Sequence, residues 1–134
     1  MLTQQTLEKM NGMKLSAMAE AFDQQLGSGE HAKLSFEERM GLLVDCEWTA
    51  REQRKLTRRL RVAKPRYKTA SIEDVDFKHP RGLNRQHVLS LGSCSWIQDQ
   101  HNVLITGPTG SGKTYLACAF VERACRRGFT ARYV

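Results

Sequence analysis

Apolar residues recur at i, i+3, i+4, i+7 and i+11 in Leu15, Met18, Ala19, Phe22 and Leu26, the spacing of one face of an α-helix. Before it, Thr3 is placed to cap a shorter helix carrying Leu7 and Met10, which Gly12 interrupts; after it, Gly27-Ser28-Gly29 supplies a stop. Ser35-Phe36-Glu37-Glu38 has the form of a capping box, in which Ser and Glu side chains satisfy each other's backbone N–H groups. It predicts a long helix to about Val62, stopped by Pro65. In the first half of that helix Phe36, Met40, Leu43, Val44 and Trp48 point in several directions, which predicts burial among neighbouring helices. In the second half only Leu56 and Leu60 continue the stripe begun by Leu42 and Cys46.

The periodicity weakens over residues 63–102. Tyr67 to Phe77, with Ile72 and Val75 set among Glu73, Asp74 and Asp76, predicts a partly extended docking segment. Leu83 to Ile97 predicts one or two short helices packed through Val88, Leu89, Leu91 and Trp96, with Trp96 in a core role in preference to base stacking. Val103 to Thr106 is a short apolar, β-branched run that predicts a buried strand. Tyr115 to Arg127 returns to helical spacing through Leu116, Ala117, Phe120, Val121 and Ala124. Gly128 predicts a left-handed cap, and Thr130 to Val134 a second strand.

Between the first strand and its helix lies Gly107-Pro108-Thr109-Gly110-Ser111-Gly112-Lys113-Thr114, a complete match to the phosphate-binding pattern G-x-x-x-x-G-K-[ST]. A triphosphate must be met by backbone N–H groups, which bulky side chains would obstruct. Gly107, Gly110 and Gly112 can adopt positive φ and let the backbone approach the phosphates. The helix that follows aims unpaired amides and its dipole at the same anion. Lys113 supplies a cation for the β- and γ-phosphate oxygens, and Thr114 a hydroxyl for Mg²⁺. The bland alternative is a glycine-rich turn with a solvated lysine, and the flanking strand–helix pattern argues against it. ATP with Mg²⁺ is the expected cofactor.

The fold class expected is therefore an α-helical N-terminal domain followed by the start of an α/β phosphate-loop domain, truncated after its second strand. The expected divisions are a helical domain over 1–68, a linker with short helices over 69–102, and an incomplete nucleotide domain over 103–134. No acidic second motif for metal and water follows the loop, nor an arginine finger, so the 134 residues are expected to be inactive alone in hydrolysis.

Charge adds a second candidate site. The chain carries a formal net charge of +7, distributed unevenly. Residues 1–50 hold 4 basic and 8 acidic side chains, whereas residues 51–68 hold 9 basic and 1 acidic. The nine are Arg51, Arg54, Lys55, Arg58, Arg59, Arg61, Lys64, Arg66 and Lys68. Most charge runs are solvated helix faces. Here acidic partners four residues away are nearly absent, which favours contact with a nucleic acid. Cys46, Cys94, Cys118 and Cys125 form no paired motif, and His31, His79, His87 and His101 no ligand-spaced cluster. Reduced core cysteines in a cytoplasmic protein, with no structural metal, are expected. No apolar run reaches membrane-spanning length.

The runs Leu34-Ser35-Phe36-Glu37-Glu38-Arg39 and Glu47-Trp48-Thr49-Ala50-Arg51-Glu52, the basic stretch after them, and Asn102 to Ala117 resemble the IstB family. These are helper ATPases of insertion-sequence transposases, of the AAA+ class. The resemblance covers the whole chain and implies ATP binding through Gly107 to Thr114. It implies double-stranded DNA contact with little sequence preference, in which residues 51–68 take part, a homo-oligomer, and a partner transposase. Two alternatives are a helicase-loader replication accessory of the DnaC type, and an inert DNA- or partner-binding remnant.

Overall fold

The computed structural model describes residues 2–134. It forms two compact units, one ending at Lys55 and one spanning Leu56–Val134. The helices are α1 (Leu2–Gly12), α2 (Ser16–Gly27), α3 (Phe36–Ala63), α4 (Arg85–Leu91), α5 (Ser95–Gln98) and α6 (Lys113–Arg126), with 3₁₀ turns at Gly29–Lys33 and Ile72–Asp74.

In the first unit the local signals act largely as their chemistry dictates. The Ser35 hydroxyl accepts from the Glu38 N–H at 3.1 Å, and the Glu38 carboxylate accepts from the Ser35 N–H at 3.2 Å, so the capping box starts α3. Thr3 does not cap α1; it lies inside a helix that already begins at Leu2. Ala19 and Leu43 are buried, and the Gln25 side-chain amide donates to the Arg39 carbonyl at 3.1 Å, tying α2 to α3. The expected burial of the first half of α3 is not observed. Leu43 is buried, but Phe36, Met40, Val44 and Trp48 are exposed, Trp48 by 67%. At i, i+4, i+8 and i+12 these four trace a slowly drifting stripe on one side of the helix, and neither α1 nor α2 covers it.

In the second unit, α6 is the element around which the rest packs. Leu116, Cys118, Ala119 and Phe120 face Ala70, Ile72 and Val88, with Val75, Phe77, Leu83, Leu91 and Ile105 at the margin. The segment after α3 thus docks through Ile72, as its isolated apolar positions predict, while Leu89 of α4 stays exposed. Trp96 is half-buried and donates its indole N–H to the Leu91 carbonyl at 2.9 Å. It lines an apolar cavity of about 280 Å³ with Val103, Ile105, Phe120, Val121 and Phe129. At its C-terminal end α6 closes in a Schellman motif. The Phe129 N–H bonds the Ala124 carbonyl at 2.9 Å and the Gly128 N–H bonds the Cys125 carbonyl at 3.1 Å, with Gly128 at φ +93°.

The expected α/β architecture is overturned. Among the described residues there is no β-strand and no sheet; the regular structure is helical throughout. Residues 103–106 and 130–134 carry β-branched and aromatic side chains, but an extended run becomes a strand only when a neighbour accepts its N–H and C=O groups. Residues 103–106 make no such ladder. The final segment makes one isolated backbone bond, from the Tyr133 N–H to the Ala63 carbonyl at 2.8 Å. No described helix is long and apolar enough to cross a membrane.

Candidate nucleotide-binding site

The loop from Gly107 to Thr114 runs directly into α6, whose first helical residue is Lys113. Two glycines are required by backbone geometry: Gly110 at φ +82° and Gly112 at φ +97° lie where a side chain would strain the chain. Gly107 does not have positive φ, contrary to the expectation that all three would share that role. Its constraint is space, because a Cβ there would meet the Ser111 hydroxyl at 3.0 Å. That hydroxyl donates to the Pro108 carbonyl at 2.7 Å, and the Ser111 N–H approaches the same carbonyl at 3.3 Å. The loop is thereby pinned into a tight turn by its own residues.

Lys113 is half-buried, and its ammonium donates to the Gly107 carbonyl, folding the cation back across the mouth of the loop. Thr114 follows in the first turn of α6, half-buried. No side chain caps that turn. The amides and the positive end of the α6 dipole therefore face the loop without a competing protein acceptor. Beside the loop is a cavity of about 270 Å³, lined by Gly107, Pro108, Ser111, Gly112 and Lys113 and, across from them, by Asp74, Asp76 and Arg81.

Arg81 was not singled out by its sequence context, His79-Pro80-Arg81-Gly82. Its guanidinium donates to the Ser111 carbonyl at 3.2 Å, from 30 positions away in the chain. No pattern of local spacing signals that contact. Among the described residues, no group of His, Cys, Asp or Glu is arranged to hold a metal ion. Any divalent cation at this loop would rely on the Thr114 hydroxyl, phosphate oxygens and water, the ligand set Mg²⁺ commonly takes beside phosphates.

The nine basic residues of 51–68 are not gathered at the loop, and they divide by what they touch. In the first unit, Arg51 and Arg54 bond the buried Glu47 carboxylate at 2.9 and 3.3 Å, and Lys55 pairs with Glu52 at 3.2 Å. Only Arg51–Glu47 has the four-residue spacing expected to be nearly empty; Arg54 and Lys55 find their acidic partners at seven and three residues. In the second unit, Arg59 donates to the Cys125 carbonyl at the end of α6. Arg66 lies 5.8 Å over the Tyr67 ring. Among the described residues, Arg58, Arg61, Lys64, Arg66 and Lys68 have no acidic partner, and all five are exposed. Cys94, Cys118 and Cys125 are buried as expected of core thiols, whereas Cys46 is exposed. Burial pushes the Cys94 and Cys125 thiols above the usual range.

Residues 8–134 match a family model described as IstB-like ATP binding protein. The chain is 42% identical over 134 residues to a Pseudomonas fluorescens protein named as an ATP-binding protein of insertion sequence IS1162, covering 100% of this chain and 58% of that protein. It is 46% identical over 126 residues to an insertion-sequence ATP-binding protein of Sinorhizobium fredii, covering 94% of this chain and 51% of that one. A Mycobacterium tuberculosis protein named as ATP-binding and located in an insertion sequence is 35% identical over 121 residues, covering 90% of this chain and 48% of its own length. The chain thus spans about half the length of these relatives.

Proposed function

The chain belongs to the IstB-like ATP binding protein family, and from that premise we propose that it binds ATP through Gly107 to Thr114 and serves as a DNA-binding helper of insertion-sequence transposition. The observation that carries the nucleotide assignment is the loop itself. A left-handed Gly112, a half-buried Lys113 folded over the Gly107 carbonyl and an uncapped helix start meet at one cavity, with the left-handed Gly110 in the same loop. Lys113 gains more from a phosphate oxygen than from the neutral carbonyl it now meets, because a hydrogen bond between two charged groups is stronger than one to a neutral acceptor. Gly107, Pro108, Thr109 and Gly110 shape the cradle, Ser111 and Gly112 turn it, Lys113 neutralises phosphate charge and Thr114 offers the hydroxyl to Mg²⁺. The metal would screen the phosphate charges and bridge their oxygens.

The second part of the proposal is sequence-independent contact with double-stranded DNA through the 51–68 segment. Its support is the excess of positive charge there and the five exposed cations in it that have no acidic partner among the described residues. In this reading Arg51, Arg54, Lys55 and Arg59 contribute charge to the field while holding protein contacts, and Arg58, Arg61, Lys64, Arg66 and Lys68 meet phosphates directly. A partner transposase, self-association and action in the cytoplasm complete the proposal. The relatives' names, all tied to insertion sequences, favour this over a helicase-loader role.

The deciding experiment is calorimetric titration of ATP and Mg²⁺ into the native chain and into Lys113→Ala. Loss of measurable binding in the variant, with its helical content intact, is the expected result. Equal affinity in the two proteins would remove the loop assignment.

A further inference from the structure

We propose that Arg81 is a second phosphate-binding cation of this site, acting opposite Lys113 on the phosphate chain of a nucleoside di- or triphosphate. The inference rests on the nucleotide assignment above and adds to it a residue outside the glycine loop. Three observations carry it. The Arg81 guanidinium reaches the loop, donating one Nη1 hydrogen bond to the Ser111 carbonyl at 3.2 Å. The same nitrogen lies 3.1 Å from where a Cβ on Gly112 would stand, so the guanidinium occupies the space that glycine leaves open. Arg81 also lines the same cavity as Gly107, Gly112 and Lys113.

The segment that carries it is held from both sides. The Arg81 N–H bonds the His79 carbonyl at 2.9 Å, and Gly82 follows at φ +73°, which turns the chain. Leu83 then packs at the margin of the α6 core. The backbone of Arg81 is therefore positioned by a turn and an anchor, while its side chain stays exposed.

Electrostatics decide what the group is for. Asp74 and Asp76 line the same cavity, yet among the described residues neither forms an ion pair with Arg81. The Asp74 carboxylate accepts from the Ser71 hydroxyl at 3.0 Å, and that of Asp76 from the Lys78 N–H at 2.9 Å. Arg81 thus presents a full charge and a planar fork of five donors to the loop, with a neutral carbonyl as its hydrogen-bond acceptor. Lys113 does the same from the other end, on the Gly107 carbonyl. Two cations resting on two carbonyls of one phosphate loop form a clamp that a polyanion would take over, since phosphate oxygens accept from guanidinium in a bidentate, charge-assisted way.

The test compares ATP and ADP affinities, by calorimetry with Mg²⁺, for the native chain, Arg81→Ala, Arg81→Gln and Lys113→Ala, with thermal melting of each. Arg81→Gln keeps an N–H donor for the Ser111 carbonyl but no charge, so it separates a phosphate-binding role from a loop-bracing one. The expected result is a loss of about 10- to 100-fold in both Arg81 variants, the range for a hydrogen bond to a charged group. Native affinity in Arg81→Gln, or in Arg81→Ala, while Lys113→Ala abolishes binding, would overturn the role of Arg81 and leave the loop assignment standing. Unchanged binding in Lys113→Ala would instead remove the loop assignment, and this proposal with it.

Discussion

The Glu47 carboxylate of α3 accepts from the Met18 backbone N–H near the start of α2 at 3.2 Å, across 29 positions of sequence. Glu47 is 6% exposed. Arg51 and Arg54 close round the same carboxylate, so one buried anion joins a helix start to two cations of the basic stretch.

That arrangement predicts an acid-labile first unit. The Arg51 hydrogen bond, opposed by burial and aided by the Met18 N–H and Arg54, holds the Glu47 carboxyl below its usual range. A carboxyl depressed in the folded state contributes stability above its unfolded pKa of about 4.3, and that contribution is lost as pH falls through the folded value. Glu47→Gln should lower the melting temperature at pH 7 and show a shallower loss of stability between pH 5 and pH 3 than the native chain. Circular dichroism melts across that window check both. An identical acid limb in the two proteins would show that Glu47 is not linked to folding.

The division of the basic residues predicts two separable phenotypes. Arg58→Glu with Arg61→Glu should flatten the salt dependence of DNA affinity by about two units of log–log slope, alike for unrelated sequences. Arg51→Ala should act mainly through Glu47 and lower thermal stability more than the slope. Fluorescence anisotropy on two unrelated duplexes at several salt concentrations separates these outcomes.

Gly112 carries two constraints at once, a φ of +97° and the Arg81 nitrogen 3.1 Å from a would-be Cβ. Gly112→Ala should cost about 1–2 kcal/mol of stability from left-handed strain alone and weaken ATP binding by displacing Arg81. Gly12→Ala is the control, because nothing lies within 4 Å of a Cβ there and its φ is not in the left-handed range. Chemical denaturation and ATP titration of the pair check the difference.

The thiols predict a simple labelling pattern. Cys94, Cys118 and Cys125 are buried and Cys46 is exposed. Reactivity requires an accessible thiolate, and burial works against both access and ionisation. Ellman's reagent should find one fast thiol per native chain, abolished by Cys46→Ser, and all the cysteines after unfolding. Fast labelling of more than one would contradict the burial of Cys94, Cys118 and Cys125.

What could be read from the sequence was what short-range chemistry decides. The Ser35–Glu38 capping box and the Gly128 cap each depend on residues within a few positions and form where their patterns put them, and the glycine loop leads into its expected helix, though without the strand expected before it. What could not be read depends on distant partners. The strand propensity of Val103 to Thr106 is real, but strand formation needs a neighbour that no local pattern supplies. Phe36, Met40, Val44 and Trp48 are expected inside because they point in several directions, yet α2 meets α3 at Arg39 and Glu47 and these four stay exposed. Arg81 and Ser111 meet only because the 70–83 segment wraps onto α6, and the spacing of neither residue encodes that.

Two adjacent residues, Ile72 and Glu73, both hold that segment on α6, one by burial and one by charge. Glu73 bridges Arg123 at 2.5 Å and Arg126 at 2.9 Å; the Glu73 and Arg126 side chains are 52% and 44% exposed, that of Arg123 15%. Exposed ion pairs contribute between nothing and about 1 kcal/mol, and less at high salt. Ile72 is 1% exposed, within the cluster that includes Leu116 and Phe120. Truncating a buried isoleucine to alanine costs about 2–5 kcal/mol, through lost transfer energy and the cavity left behind. Burial should therefore outweigh charge by severalfold. Ile72→Ala should destabilise the second unit strongly and, by loosening the segment that carries Arg81, weaken ATP binding as well. Glu73→Ala should shift stability by less than about 1 kcal/mol, with the shift disappearing in 1 M salt. Urea denaturation of both variants at low and high salt decides it. A larger loss in Glu73→Ala than in Ile72→Ala would mean that the bridge to Arg123 and Arg126 anchors the segment.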